Sequence, residues 1–195
     1  MRIRLLALAA VVLIAGCGGG NKVLARVGDQ QVTQKQVDDG IAYLEHEAKA
    51  EGHPFPPEGS PERKQAERDL VDLLVRRARF EVKAEQLGIF VSLVEVRARI
   101  GGEEASIGKV PGEAFHEGTV RAAILYGRLY DRVTRGVTVS VAEARAFYDR
   151  HRKAYPQPFA EVRDTLRGQL LAARKNAAMR RWERQIEREL PVRKS

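Results

Sequence analysis

From Phe159 to Glu189 the chain runs "FAEVRDTLRGQLLAARKNAAMRRWERQIERE", without a proline. Phe159, Val162, Leu166, Leu170 and Ala173 step by three or four, and Trp182, Ile186 and Leu190 resume that stripe nearer the end. The spacing predicts one helix over roughly Phe159 to Glu189, about 45 Å long at 1.5 Å per residue. Globular helices average three or four turns, so this one is long for a chain of 195 residues. The remaining elements must be laid along it.

A break stands immediately before it. Val141, Ala144, Tyr148, His151 and Tyr155 continue one helical pattern up to Pro156-Gln157-Pro158, after which the long helix starts. Proline removes a backbone donor and pushes the preceding residue out of helical geometry, so two helices with almost nothing between them are expected.

The other elements follow from caps and turns. "NKVLARVGDQQV" alternates Val23, Ala25 and Val27 with polar residues around Gly28-Asp29, predicting a small hairpin. Thr33 with Gln36, Ser92 with Glu95 and Ser140 with Glu143 each have the spacing of a capping box. They predict helix starts at three places. The first helix carries Val37, Ile41 and Leu44 and ends at Gly52. After the loop "GHPFPPEGSP", a second helix is expected from about Pro61 to Leu87. One of its faces is Leu70, Val71, Leu74, Val75, Ala78 and Val82; another is Leu73, Phe80, Ala84 and Leu87. Apolar residues on two sides predict a central position. A shorter helix from Ser92 is expected to end near Gly101-Gly102, followed by an unpatterned turn-rich segment and a further helix from Thr119. "PVRKS" leaves room for a short final strand.

The first sixteen residues read as an export signal rather than fold. Arg2 and Arg4 precede the apolar run Leu5–Leu13, which is too short to span a bilayer. Small residues then lead to Cys17, the sole cysteine. The segment resembles a bacterial lipoprotein signal, in which cleavage before Cys17 leaves that thiol lipidated; the alternative is an ordinary signal with an incidental cysteine. Residues 17–22 would be a flexible tether and 23–195 the folded domain. The expected location is extracytoplasmic, on the outer face of the cell membrane or at the outer membrane, held through lipid on Cys17.

Chemistry is sparse. The four histidines lack metal-ligand spacing, adjacent acids such as Asp38-Asp39 do not face each other on a helix, and no glycine cluster has a phosphate-loop context. His151 between Tyr148 and Tyr155 reads as a packed or half-exposed ring rather than a catalytic one. No enzyme, metal or cofactor is expected. A net charge of +8 sits on a mixed-sign sequence that is 31% charged, which solvated helix faces explain without a nucleic-acid partner. Tyr126, Tyr130, Phe147, Tyr148, Tyr155 and Phe159 are candidates for contacting unfolded chains, or else for core packing.

The order of these parts resembles the SurA and PrsA-type periplasmic foldases. "VLARVGDQQVTQKQVDDGI" is similar to the family's opening hairpin and threonine-initiated helix. "LVDLLVRRARFEVKAEQLGIFVSLVEVRARI" is similar to its long apolar helix, Gly-Ile turn and serine-initiated helix. "VTVSVAEARAFYDRHRKAY" and "FAEVRDTLRGQLLAARKNAAMRRWERQIEREL" resemble the segments that leave and complete the N-terminal chaperone module. The resemblance implies a mainly α module with a small N-terminal hairpin, joined by a C-terminal strand if one forms. It also implies ATP-independent binding of unfolded exported polypeptides. In such foldases a parvulin-type prolyl isomerase commonly lies between the last two segments; here Pro156–Pro158 stands in its place, so isomerase activity is not implied. The competing expectation is a non-enzymatic envelope lipoprotein binding an anionic polymer or a fixed protein partner. That reading calls for a contiguous basic face with little exposed apolar surface, whereas the chaperone reading calls for an apolar groove between helices.

Overall fold

The computed structural model describes residues 22–107 and 111–194. The expected signal, Cys17 and residues 18–21 of the expected tether therefore lie outside the described residues. Strands β1 (Val23–Val27) and β2 (Gln30–Thr33) form the expected antiparallel hairpin, with Ala25 opposite Val32 and Val27 opposite Gln30. Strand β3 (Arg193–Lys194) joins the other edge of β1, giving the order β2-β1-β3. The first and last described strands thus meet in one sheet.

Six helices follow among the described residues: α1 (Gln34–Ala50), α2 (Pro61–Gln86), α3 (Leu93–Ile107), α4 (Glu113–Thr134), α5 (Val141–Arg150) and α6 (Phe159–Glu189). All three capping boxes form. Thr33 and Ser140 accept from the N3 amides of their helices while the N3 side chain returns to the cap. Ser92 and Glu95 make the same exchange at 2.9 to 3.2 Å. Each box satisfies two amides that a helix start would otherwise leave unpaired.

Two apolar clusters hold the body. One joins the sheet's inner face (Ala25, Val27, Val32) to Val37 and Ile41 of α1, Leu70, Leu74 and Ala78 of α2, and Phe115 of α4. At its centre Gly40 lets three helices approach, since a Cβ there would lie 2.9 Å from a Phe115 ring carbon and 3.0 Å from Leu70. The second cluster joins Phe80 and Ala84 of α2, Val96 and Ile100 of α3, Leu125 and Leu129 of α4, and Met179 and Ile186 of α6. Beyond the body, α5 packs along the first half of α6 and buries Ala144, Tyr148 and Leu166.

Four expectations are corrected. Helix α3 does not stop at Gly101-Gly102 but runs to Ile107, carrying both glycines inside the helix despite a penalty of about 1 kcal/mol per residue; Val96 and Ile100, ahead of them, anchor it in the second cluster. Helix α4 starts at Glu113 rather than Thr119, because Phe115 and His116 are buried and both rings meet Tyr43 of α1. Helix α5 ends at Arg150 instead of reaching Tyr155. A single 3-10 turn (Arg152–Ala154) follows, and Tyr155 leaves helical geometry at φ −125° and ψ 85° ahead of Pro156, which disfavours a helical residue before it.

The fourth correction concerns α6. Leu166 and Ile186 are both buried, yet they stand twenty residues apart, about five and a half turns, and so lie on opposite faces. Trp182 and Ile186 do not resume the stripe of Phe159, Val162 and Leu166. One side of α6 meets α5 near its start; the other meets α2 and α4 near its end.

Candidate functional site

The second apolar face of α2 and one side of α4 leave a groove between them of about 320 Å³. Leu73 and Phe80 lie two turns apart on α2; Ala122 and Tyr126 lie one turn apart on α4. Leu73 is 47% exposed and Tyr126 36% exposed, while Phe80 is buried and forms the floor. Behind the floor, Trp182 of α6 stacks on Phe80 with centroids 6.1 Å apart and planes 13° apart. Tyr126 leans on Phe80 at 5.7 Å and on Tyr130 at 6.4 Å, and the Tyr130 hydroxyl donates to Asn176 at 3.0 Å. The groove is therefore apolar, open and backed by rings fixed from three helices.

Two arginines mark its edge. Arg76 lies over the Phe80 ring and pairs with Glu183 of α6 at 3.0 Å. Arg77 turns the other way: it donates to the Thr119 hydroxyl at 3.2 Å and lies over Phe115. Gly118 makes that route possible, because a Cβ there would stand 2.7 Å from Arg77 Nη1. Burial lowers the pKa of Arg77, against the raising influence of Glu81; burial raises the pKa of Glu81, against Arg77 and Arg121. The Tyr126 hydroxyl is also raised, first by burial and then by Glu183. An open apolar groove with a charged edge can take up a hydrophobic side chain together with the polar backbone that carries it.

A second exposed apolar patch surrounds the α2–α3 connection, formed by Leu87, Phe90, Leu93 and Val94, with Phe90 68% exposed. Arg128 of α4 donates to the Phe90 carbonyl and to Glu95, which fixes the connection while its ring stays outside.

The six aromatic candidates are not brought together. Tyr126 lines the groove, and Tyr130 packs against Tyr126 outside its lining. Phe147, Tyr148, Tyr155 and Phe159 form a separate cluster where α5 turns into α6, with Tyr148 5.4 Å from Phe159 and 6.1 Å from Tyr155. Tyr148 is 4% exposed and its hydroxyl donates to the Gln157 carbonyl at 2.8 Å, so it packs the junction. Phe147, Tyr155 and Phe159 are half-buried around it. His151 stacks on Phe147 at 4.0 Å, with Nδ1 2.8 Å from the Phe147 carbonyl, so it too packs at the junction. Leu73 and Phe80 were legible only as a surplus apolar face on α2. Exposed Phe90 carried no periodic signal.

A family model described as a SurA-like N-terminal domain matches residues 1–117, well over half of the chain. That span includes the hairpin, α2 and α3; the α4 wall of the groove lies beyond it. No curated protein matches the chain.

Proposed function

We propose that this chain, which belongs to the SurA-like N-terminal domain family, is an extracytoplasmic, ATP-independent chaperone tethered by lipid on Cys17. It holds unfolded or partly folded segments of exported proteins, taking their apolar side chains into the α2–α4 groove. The observation that carries this reading is the groove itself: Leu73 and Tyr126 stand open to solvent above a fixed aromatic floor in a module of this family. The groove resembles a binding surface because apolar side chains remain exposed at a place where the surrounding helices are well packed. It also favours the chaperone over a lipoprotein whose surface is only basic.

The α5–α6 junction supports a non-catalytic role. Seven residues separate Arg150 from Pro158, too few for a folded domain, and they are occupied by a 3-10 turn and the ring cluster. A prolyl-peptide assay is expected to show no acceleration; clear turnover would overturn that part of the proposal. Among the described residues no helix is long and apolar enough to cross a membrane. The lipid anchor is assigned to Cys17, and Cys17→Ser should abolish lipid labelling.

The test of the central reading is suppression of aggregation by residues 18–195, which contain both apolar clusters whole. A stoichiometric amount should suppress aggregation of several unfolded outer-membrane or secreted clients at moderate salt. No suppression of any of them would remove the holdase reading.

A further inference from the structure

The charge of the molecule is unevenly placed. Residues 120–195 carry eighteen Lys and Arg against eight Asp and Glu, an excess larger than the +8 of the whole chain. Helix α6 sorts these charges by side. In its last turns the acids face α2: Glu183 pairs with Arg76 at 3.0 Å, Glu187 with Arg79 at 3.7 Å and Glu189 with Lys83 at 2.6 Å. Four arginines of the same turns do the opposite. Arg180, Arg181, Arg184 and Arg188 all lie at least 100° around the helix from the inward positions Met179, Trp182 and Ile186, at 100° per residue. All four are exposed, and none forms an ion pair or hydrogen bond among the described residues.

The same end of the molecule carries a like-charge pair. Arg26 and Arg193 stand directly opposite each other across β1 and β3, on the solvent face behind buried Ala25 and Val27. Like charges in that position are destabilising unless an external anion neutralises them. Only four residues separate Arg193 from Arg188, at most about 18 Å of chain, so the pair and the α6 arginines belong to one end. The chain enters the fold here: β1 begins at Val23, only six residues after Cys17.

We infer that the outward face of α6, from Arg180 to Arg188, together with Arg26 and Arg193, docks on the anionic phospholipid headgroups of a bilayer. The membrane is chosen over an acidic client on position. The patch lies on the side of α6 opposite Trp182, which backs the client groove, and beside the point where the tether leaves. Guanidinium groups suit this partner, since each can offer paired donors to a phosphate. Docking would orient the groove relative to the membrane rather than leave the domain to tumble on its tether. The choice of partner rests on the proposed anchor; the binding test does not, because it uses unlipidated protein without a client.

Residues 18–195 are floated with vesicles of phosphatidylcholine with or without phosphatidylglycerol, at two salt concentrations. Binding is expected only to the anionic vesicles and should weaken as salt rises. The variant R180Q/R181Q/R184Q/R188Q should bind roughly 100- to 1000-fold more weakly, given about 1 kcal/mol per basic residue at the surface. Its thermal stability and aggregation suppression should not change, which separates this inference from the chaperone reading. A control removing four cations elsewhere, K49Q/K64Q/R97Q/K153Q, should retain most of the binding. Equal loss in the control, unchanged binding in the α6 variant, or equal binding to neutral vesicles would each overturn the inference. So would an α6 variant that loses acidic unfolded clients while keeping the vesicles, since the face would then belong to the client.

Discussion

The groove between α2 and α4 and the junction between α5 and α6 are built from similar side chains and behave differently. Each gathers tyrosine and phenylalanine with an arginine lying over a ring: Arg76 over Phe80 in one, Arg145 and Arg152 over Tyr148 in the other. In the groove the rings are fixed from behind by Trp182, and the aliphatic and phenolic edges of Leu73 and Tyr126 stay open. At the junction the central ring is sealed and its hydroxyl satisfied within the turn. Aromatic content alone does not mark a binding surface. What marks one is apolar area left uncovered after the rings have been immobilised.

The sharpest contrast should appear on deleting the central ring of the junction. Tyr148→Ala should cost about 3 kcal/mol or more of unfolding free energy in urea, as expected for loss of a buried aromatic side chain. Aggregation suppression by the folded protein should remain. The reverse is expected for Leu73→Ala combined with Tyr126→Ala. Client affinity should fall about tenfold while stability changes by less than about 1 kcal/mol, because both side chains are already partly solvated. If both variants lose affinity and stability together, the distinction between the regions fails.

Smaller effects refine the comparison. Tyr148→Phe keeps the ring and leaves the Gln157 carbonyl without its donor, so about 1 kcal/mol should be lost. The smallest effect should be electrostatic. Glu143 caps α5 through Ser140 and pairs with Arg174 of α6 at 2.8 Å. The Arg174 hydrogen bond, then those from Ser140, hold its carboxyl at about 2, below the ordinary 4.5. Because the folded value is depressed, this contribution is whole above about pH 4.5 and is lost as pH falls through about 2. Acid titration of the wild type should show that loss, and Glu143→Gln should flatten the profile over the same window.

Much of the fold was legible because the signals were local. The pairs Thr33/Gln36, Ser92/Glu95 and Ser140/Glu143 marked three helix starts, and Pro156–Pro158 marked the break before α6. What was not legible depended on partners distant in sequence. Gly101-Gly102 reads as a stop, yet α3 continues through both glycines to Ile107. The start of α4 at Glu113 depends on Tyr43, some seventy residues earlier. The exchange of faces along α6 was present as the phase between Leu166 and Ile186, but two packing partners were needed to give it meaning. The candidate site divided the same way: spacing exposed a second apolar face on α2, yet it could not tell open Tyr126 from sealed Tyr148.

The most direct measurement is site-specific photocrosslinking to an unfolded, radiolabelled outer-membrane client. A photoreactive phenylalanine analogue is placed at Leu73 in one protein and at Tyr155 in another, each chain otherwise intact. The account predicts strong client adducts from position 73 that are competed by unlabelled client, and only background from position 155. Equal adducts from both positions, or adducts from 155 alone, would contradict it.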